Sequence, residues 1–306
     1  MTLQHLHDSI TNDMRYEKTT SEKFTPIQTS QAIAEIENLG WKPVNAWQTK
    51  TRDESRRAYA RHSITFRREG DLNLKDGSHN TGDIVPQFTL LNANDGTSSE
   101  QFLAGFLRIQ CLNGLMMGTS FEASRIRHST GGEKLAHLVK DAIAGVDEHL
   151  RKGSSLVKEW KEIQLTDSQI RSFASQAVLK RFPGTFEEET LTIERKGIVG
   201  SFGSDFLRME FSQRVASVLQ ANRQEDWGGD LWRVFNRIQE NTIRGGFVLN
   251  SPRVTDKKGG GATLSQRKTK PLNNPYQTTA LNRALWDIGE GIARGETFAL
   301  PEHLIA

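Results

Sequence analysis

The sequence predicts an α+β protein, with an N-terminal three-stranded antiparallel meander flanked by helices and a mainly helical C-terminal half. Three observations carry this. Between Trp41 and Ala93, segments rich in β-branched and aromatic residues are separated by polar turns. From Lys134 onward, apolar residues recur at helical spacing. Capping residues and glycines mark where those later helices begin and end.

The elements follow in order. Residues 1 to 24 are polar and are expected to be poorly ordered at the very end. Ile33, Ile36 and Leu39 place a short helix over Thr29 to Leu39, with Gly40 at its C-terminal cap. The strands are Trp41 to Lys50, Ala58 to Arg68 and Val85 to Ala93, the first two joined as a hairpin by the polar turn TRDESR. Asn94-Asp95-Gly96 ends the third. Thr97 and Glu100 stand at capping-box spacing, and Phe102, Leu103, Phe106, Leu107, Ile109 and Leu112 then read as a wide helical stripe. Further helices are expected over Lys134 to Leu150, from Thr166 and Gln169 toward Phe182, after Asp230 as far as Gly245-Gly246, and over Tyr276 to Arg294. Residues 184 to 229 give no clear pattern, and the Gly-rich basic segment 251–270 reads as a mobile loop. The implied division is a basic strand domain over 1–130 and a mainly helical region over 131–306.

Composition narrows the function. The chain has 306 residues, 36% hydrophobic and 25% charged, too apolar for a disordered protein. Its one cysteine, Cys111, excludes an intrachain disulfide and falls on the apolar stripe. No segment approaches the roughly 18 apolar residues of a membrane span, and the start MTLQHLHDSITNDMRYEK has no apolar signal region. The expectation is a cytoplasmic protein with no membrane partner. There is no Walker A loop, Cys-x-x-Cys or His-Glu-x-x-His. His5 and His7 lack metal-ligand partners. Asp83, Asp95, Glu100 and the Glu187–Glu189 run are the acids a metal nuclease could draw on. No catalytic residue, metal site or cofactor is assigned.

The charge is unevenly placed. From Lys42 to Arg68, eight bases stand against two acids, a net +6, and from Arg253 to Lys270, six bases against one acid give +5. The whole chain carries +3, so everything else carries −8. Such clustering marks a phosphate-backbone binder. By strand alternation, Tyr59, Arg61, Ser63, Thr65 and Arg67 share one face, while Ala60, His62, Ile64 and Phe66 face a core. Trp41 and Trp47 share a face by the same rule and read as core. Arginines beside an aromatic suit single-stranded DNA, with charges on phosphates and a ring against bases. The candidate binding residues are Lys50, Arg52, Arg56, Arg57, Tyr59, Arg61 and Arg67, with Lys257, Lys258, Arg267 and Lys268 in the second segment. Replacing Arg56, Arg57 and Arg61 together is expected to abolish binding and leave the fold intact. A merely solvated charged face fits these arginines too. Asn236, Gln239, Asn241 and Arg244 crowd one helix and could meet a ligand or a subunit, or simply lie exposed.

The blocks FTPIQTSQAIAEIENLGWKPV, QTKTRDESRRAYARHSITFRR, VPQFTLLNANDGTSSEQFLAGFLRIQCLNGLMMG, IRHSTGG, LWRVFNRIQENTIRGG and LNRALWDIGEGIA, in that order, resemble a family of phage-, prophage- and plasmid-borne proteins known only as a domain of unknown function. The resemblance spans most of the chain and implies a mobile-element context in a bacterial host, but no catalytic residues. The order helix, meander, helix and basic-apolar LRIQCLNG is also similar to the core of the Rad-fifty-two type of single-strand annealing protein. That similarity implies single-stranded DNA as partner and a homo-oligomer. The alternative expectation is a mobile-element protein that binds and blocks a host restriction or defence factor.

Overall fold

The structure, a computed structural model, describes residues 6–72, 84–108, 114–116, 122–128, 135–195, 198–255 and 261–305. The chain forms two compact units, Met1–Leu156 with Asn274–Thr279, and Val157–Asn273 with Ala280–Ala306.

The first unit holds the short helix α1 (His7–Thr11), α2 (Thr29–Asn38), strands β1 (Trp41–Gln48), β2 (His62–Arg68), β3 (Ile84–Asn92), β4 (Glu100–Arg108), β5 (Gly114–Met116) and β6 (Glu122–Ile126), and most of α3 (Leu135–Glu162). β1 to β4 form an antiparallel meander, and β5 and β6 pair successive stretches of the free edge of β4. The meander is thus longer than the predicted three strands, because 100–108 is a strand and not a helix. Phe102, Ala104 and Phe106 point to one face and Leu103 and Leu107 to the other, and all five side chains are buried. A strand buried on both faces is apolar throughout, and its sequence imitates a wide helical stripe. Ile109, Cys111 and Leu112 lie outside the described residues.

One sheet face carries the aromatic core. Phe66 stacks on Phe88 at 4.9 Å, and Trp41 meets Phe88 edge-on at 4.9 Å. Helix α2 buries Thr29, Ala32, Ile33 and Ile36. Thr29 docks it on the sheet. The Asn92 side chain donates to Thr29 Oγ1 at 2.9 Å, and Thr29 Oγ1 lies 2.9 Å from His62 Nε2. His62 Nδ1 lies 3.1 Å from the Ala60 carbonyl, so the ring donates there and accepts from Thr29. Burial pulls this histidine down to about 4, which keeps it neutral.

Trp41 and Trp47 do not share a face. The register of β1 against β2 shifts between Pro43 and Asn45, so Val44 is an extra residue that reverses the alternation. Trp41 pairs with Arg68 and is fully buried, whereas Trp47 pairs with Ser63 and lies 6.3 Å from the Tyr276 ring. The N-terminal segment is also not frayed from residue 6 on. Leu6, Ile10 and Tyr16 are buried, and the Tyr16 N–H donates to the Asn94 carbonyl at 3.1 Å.

The second unit is mainly helical, with α4 (Asp167–Arg181), β7 (Leu191–Arg195), β8 (Ile198–Phe202), α5 (Ser204–Val218), α6 (Leu231–Arg244), β9 (Val248–Thr255), β10 (Gly261–Lys268) and most of α7 (Pro275–Ala293). Thr166 and Gln169 form the predicted capping box, and Asp230 caps α6 by accepting the Arg233 N–H at 3.0 Å. Trp160 lies 4.6 Å from Trp286 and 5.4 Å from Phe235. Gly289 is required there, because a Cβ would sit 2.6 Å from the Trp160 ring. The segment expected as a loop, 251–270, is largely the antiparallel ladder of β9 and β10. The unread stretch 184–229 holds the β7–β8 hairpin and α5. Among the described residues, no helix is long and apolar enough to cross a membrane.

Candidate nucleic-acid interface

The basic cluster lies on the connection between β1 and β2. The second strand begins at His62, four residues later than the sequence suggests, because a 3₁₀ turn occupies Glu54–Tyr59. Asp53 builds that turn. Its Oδ1 accepts the Ser55 N–H at 2.9 Å and the Ser55 hydroxyl at 2.6 Å. The Ser55 hydroxyl, together with the nearby Tyr16 hydroxyl and Lys18, holds the Asp53 carboxyl below its ordinary range. Tyr59 and Arg61 therefore do not stand on a strand face. Only Ser63, Thr65 and Arg67 of that expected row do.

The arginines divide into two groups. Arg56 donates from Nε and Nη2 to Asp95 Oδ2 at 3.0 and 2.7 Å, and Asp95 is only 3% exposed. Asp95 Oδ1 accepts the Thr97 N–H at 3.0 Å and the Thr97 hydroxyl. Arg61 completes the network, donating to Thr97 Oγ1 at 2.9 Å and to the Thr97 carbonyl at 2.6 Å, with its guanidinium 5.1 Å from the Tyr276 ring centre. Arg67 is half-buried and donates to Gln87 Oε1 at 3.3 Å. Arg68 pairs with Asp147 at 2.6 Å over the Trp41 ring, and Lys42 pairs with Glu37 at 3.6 Å. These cations fasten the fold.

Lys50, Arg52 and Arg57 form the other group. All three are exposed, and among the described residues none has a side-chain hydrogen bond or ion pair. The Arg57 carbonyl accepts from Gln48 Nε2 at 2.7 Å, which fixes the backbone beneath its side chain. Tyr59 is half-buried, with its ring centre 5.1 Å from Tyr16.

In the second unit, Arg267 and Lys268 are exposed at the end of β10, opposite Leu249 and Val248. Lys257 and Lys258 lie outside the described residues. The amides of the α6 polar row are internal. Asn236 donates to the Trp232 carbonyl at 2.7 Å, Gln239 to Asn282 at 3.0 Å, and Asn241 to the carbonyls of Val218 and Gln220 at 3.0 and 2.8 Å. Arg244 pairs with Glu240 at 2.7 Å. The three amides therefore serve as scaffold, and Arg244 is the exposed member of the row.

Sequence reasoning missed Met14, Arg15, Tyr16 and Lys18, which border the turn beside Ser55 and Tyr59. An isolated tyrosine in a polar leader carries no periodicity, so nothing local announces it. Among the described residues, no three His, Cys, Asp or Glu side chains gather where they could hold a metal ion. Asp95 is engaged with Arg56, and Asp83 lies outside the described residues.

The β1–β2 connection and its sheet fall within residues 18–286, which match the family model described as Domain of unknown function (DUF932). The chain belongs to this family. Two relatives of this DUF932 member are the UPF0380 proteins YafZ and YfjQ of Escherichia coli strain K12. YafZ is 30% identical over 274 residues, covering 89% of this chain and 83% of the relative. YfjQ is 30% identical over 272 residues, covering 88% and 82%. No solved structure matches this DUF932 member.

Proposed function

We propose that the protein binds single-stranded DNA without chemistry and serves a phage or plasmid as a homo-oligomeric strand-annealing or recombination mediator in the bacterial cytoplasm. The observation that carries the reading is the trio Lys50, Arg52 and Arg57 on the β1–β2 connection, exposed and without an ion pair among the described residues, with Arg57 on the turn that Asp53 builds. The other bases of the cluster are spent on intramolecular acceptors, yet among the described residues these three have none, in a chain that is acidic outside its two basic segments. Free cations on a fixed backbone suit phosphates, whose capture releases counterions. The step from binding to annealing rests on the similarity of element order to Rad-fifty-two-type proteins. Here α2 precedes an antiparallel meander, but the helix expected to end in LRIQCLNG is strand β4, and the next helix among the described residues is α3.

A variant carrying Lys50→Ala, Arg52→Ala and Arg57→Ala tests the reading by fluorescence anisotropy with a labelled single strand. Near 0.1 M salt, affinity should fall on the order of 10- to 100-fold, with the thermal midpoint unchanged. Undiminished affinity would remove the trio from the interface.

A further inference from the structure

Beside the trio, the N-terminal segment and the 3₁₀ turn enclose an open groove of about 630 Å³ within the first unit. Its aromatic and apolar surface comes from Tyr16, Phe24, Tyr59 and the side chain of Met14, which is 60% exposed. The walls are braced. Tyr16 hydrogen-bonds to Asp53 and Ser55 at 3.3 Å each, and Phe24 stacks on His128 at 4.3 Å. His128 is anchored in turn, its ring nitrogens each 3.2 Å from the carbonyls of Thr25 and Ser98. Burial lowers the pKa of His128, while the two carbonyls act to raise it. The charged residues of the lining balance, Arg15 and Lys18 against Asp13 and Glu17. A groove with aromatic walls and no net charge suits the flat face of a base better than a phosphate. Phosphates are the natural ligands of Arg57 on the same turn and of Lys50 and Arg52 just before it.

We infer that this groove receives an unpaired base of the strand whose phosphates Lys50, Arg52 and Arg57 hold. The inference rests on the proposed single-strand binding and deepens it. The turn Glu54–Tyr59 couples the two contacts, since Ser55 and Tyr59 line the groove while Arg57 projects from the same turn. The base stacks against Tyr59 and Phe24, and the thioether of Met14 covers its edge. Because any base offers a π-face, the groove is tolerant of sequence and selective against paired bases.

The test compares a labelled thymidine oligonucleotide with an abasic oligonucleotide of equal length, which has the same phosphates and no bases. The wild type should favour the thymidine strand by about five-fold or more. Tyr59→Ala should erase that preference and leave abasic affinity unchanged, and Tyr59→Phe, which keeps the ring, should retain it. If Tyr59→Ala also lowers abasic affinity, Met14→Ala at its exposed position carries the same comparison, with an unchanged preference counting against the groove. Equal binding of the two oligonucleotides by the wild type overturns this inference alone. Failure to bind either one overturns the proposed function and the groove with it.

Discussion

Arg56→Ala is expected to destabilise the first unit by about 2–3 kcal/mol, whereas Arg57→Ala, one residue along, should change stability by less than about 0.5 kcal/mol. The two positions read identically in sequence. In the structure, Arg56 supplies two of the four hydrogen bonds that neutralise the Asp95 carboxylate. Removing it leaves a buried anion that, among the described residues, is held by the N–H and hydroxyl of Thr97. The guanidinium itself is 38% exposed, which keeps the cost below that of a fully buried pair. Urea denaturation of the single variants and of Arg56→Ala/Asp95→Ala measures the coupling, and the double variant should cost less than the sum of the two singles. Additive, equally small effects would show that the pair does not hold the turn. The same geometry revises the expectation that replacing Arg56, Arg57 and Arg61 together spares the fold. Arg56 and Arg61 both lie in the Asp95–Thr97 network, so loss of binding in that variant would report folding as well as contact.

Glu100→Gln should flatten the pH dependence of stability by about 3 kcal/mol between pH 5 and 8. Glu100 opens β4 with no exposed surface, and neither carboxyl oxygen has a hydrogen-bond partner among the described residues. Burial pushes its pKa up to about 8 from the ordinary 4.5. A folded pKa raised above the unfolded one means stability that is fully present below pH 4.5 and is lost as pH climbs through about 8. His62 works from the other side. Its pKa is depressed to about 4, so it contributes stability above its ordinary 6.5 that is lost as pH falls through 4. Denaturation midpoints of wild type and Glu100→Gln at pH 5 and pH 8 isolate the Glu100 contribution, since every other group is common to both. Parallel pH slopes would mean that the carboxyl ionises freely in the folded chain.

How much of this was legible in the sequence depended on how far each signal reaches. Thr166, Gln169 and Asp230 announced their helices because a cap acts within three residues. The core row His62, Ile64 and Phe66 followed from alternation alone. β4 did not, because burial on both faces removes the alternation that distinguishes a strand. The face of Trp47 was lost to the extra residue Val44, which no local composition marks. The separation of bound from free arginines depended on Asp95, which lies 39 residues from Arg56. The sequence could therefore place the charge in this segment. Only the fold could show that, among the described residues, Lys50, Arg52 and Arg57 are the cations of this cluster without an acceptor.

The central claim is that these residual cations meet an unpaired strand. Its most direct test is a binding titration of the wild type against single-stranded and duplex DNA of equal length at two salt concentrations. Tighter binding to the single strand is expected, with log affinity falling against log salt at a slope of about −2 for three phosphate contacts. Binding that is insensitive to salt, or equally tight to duplex, would contradict it.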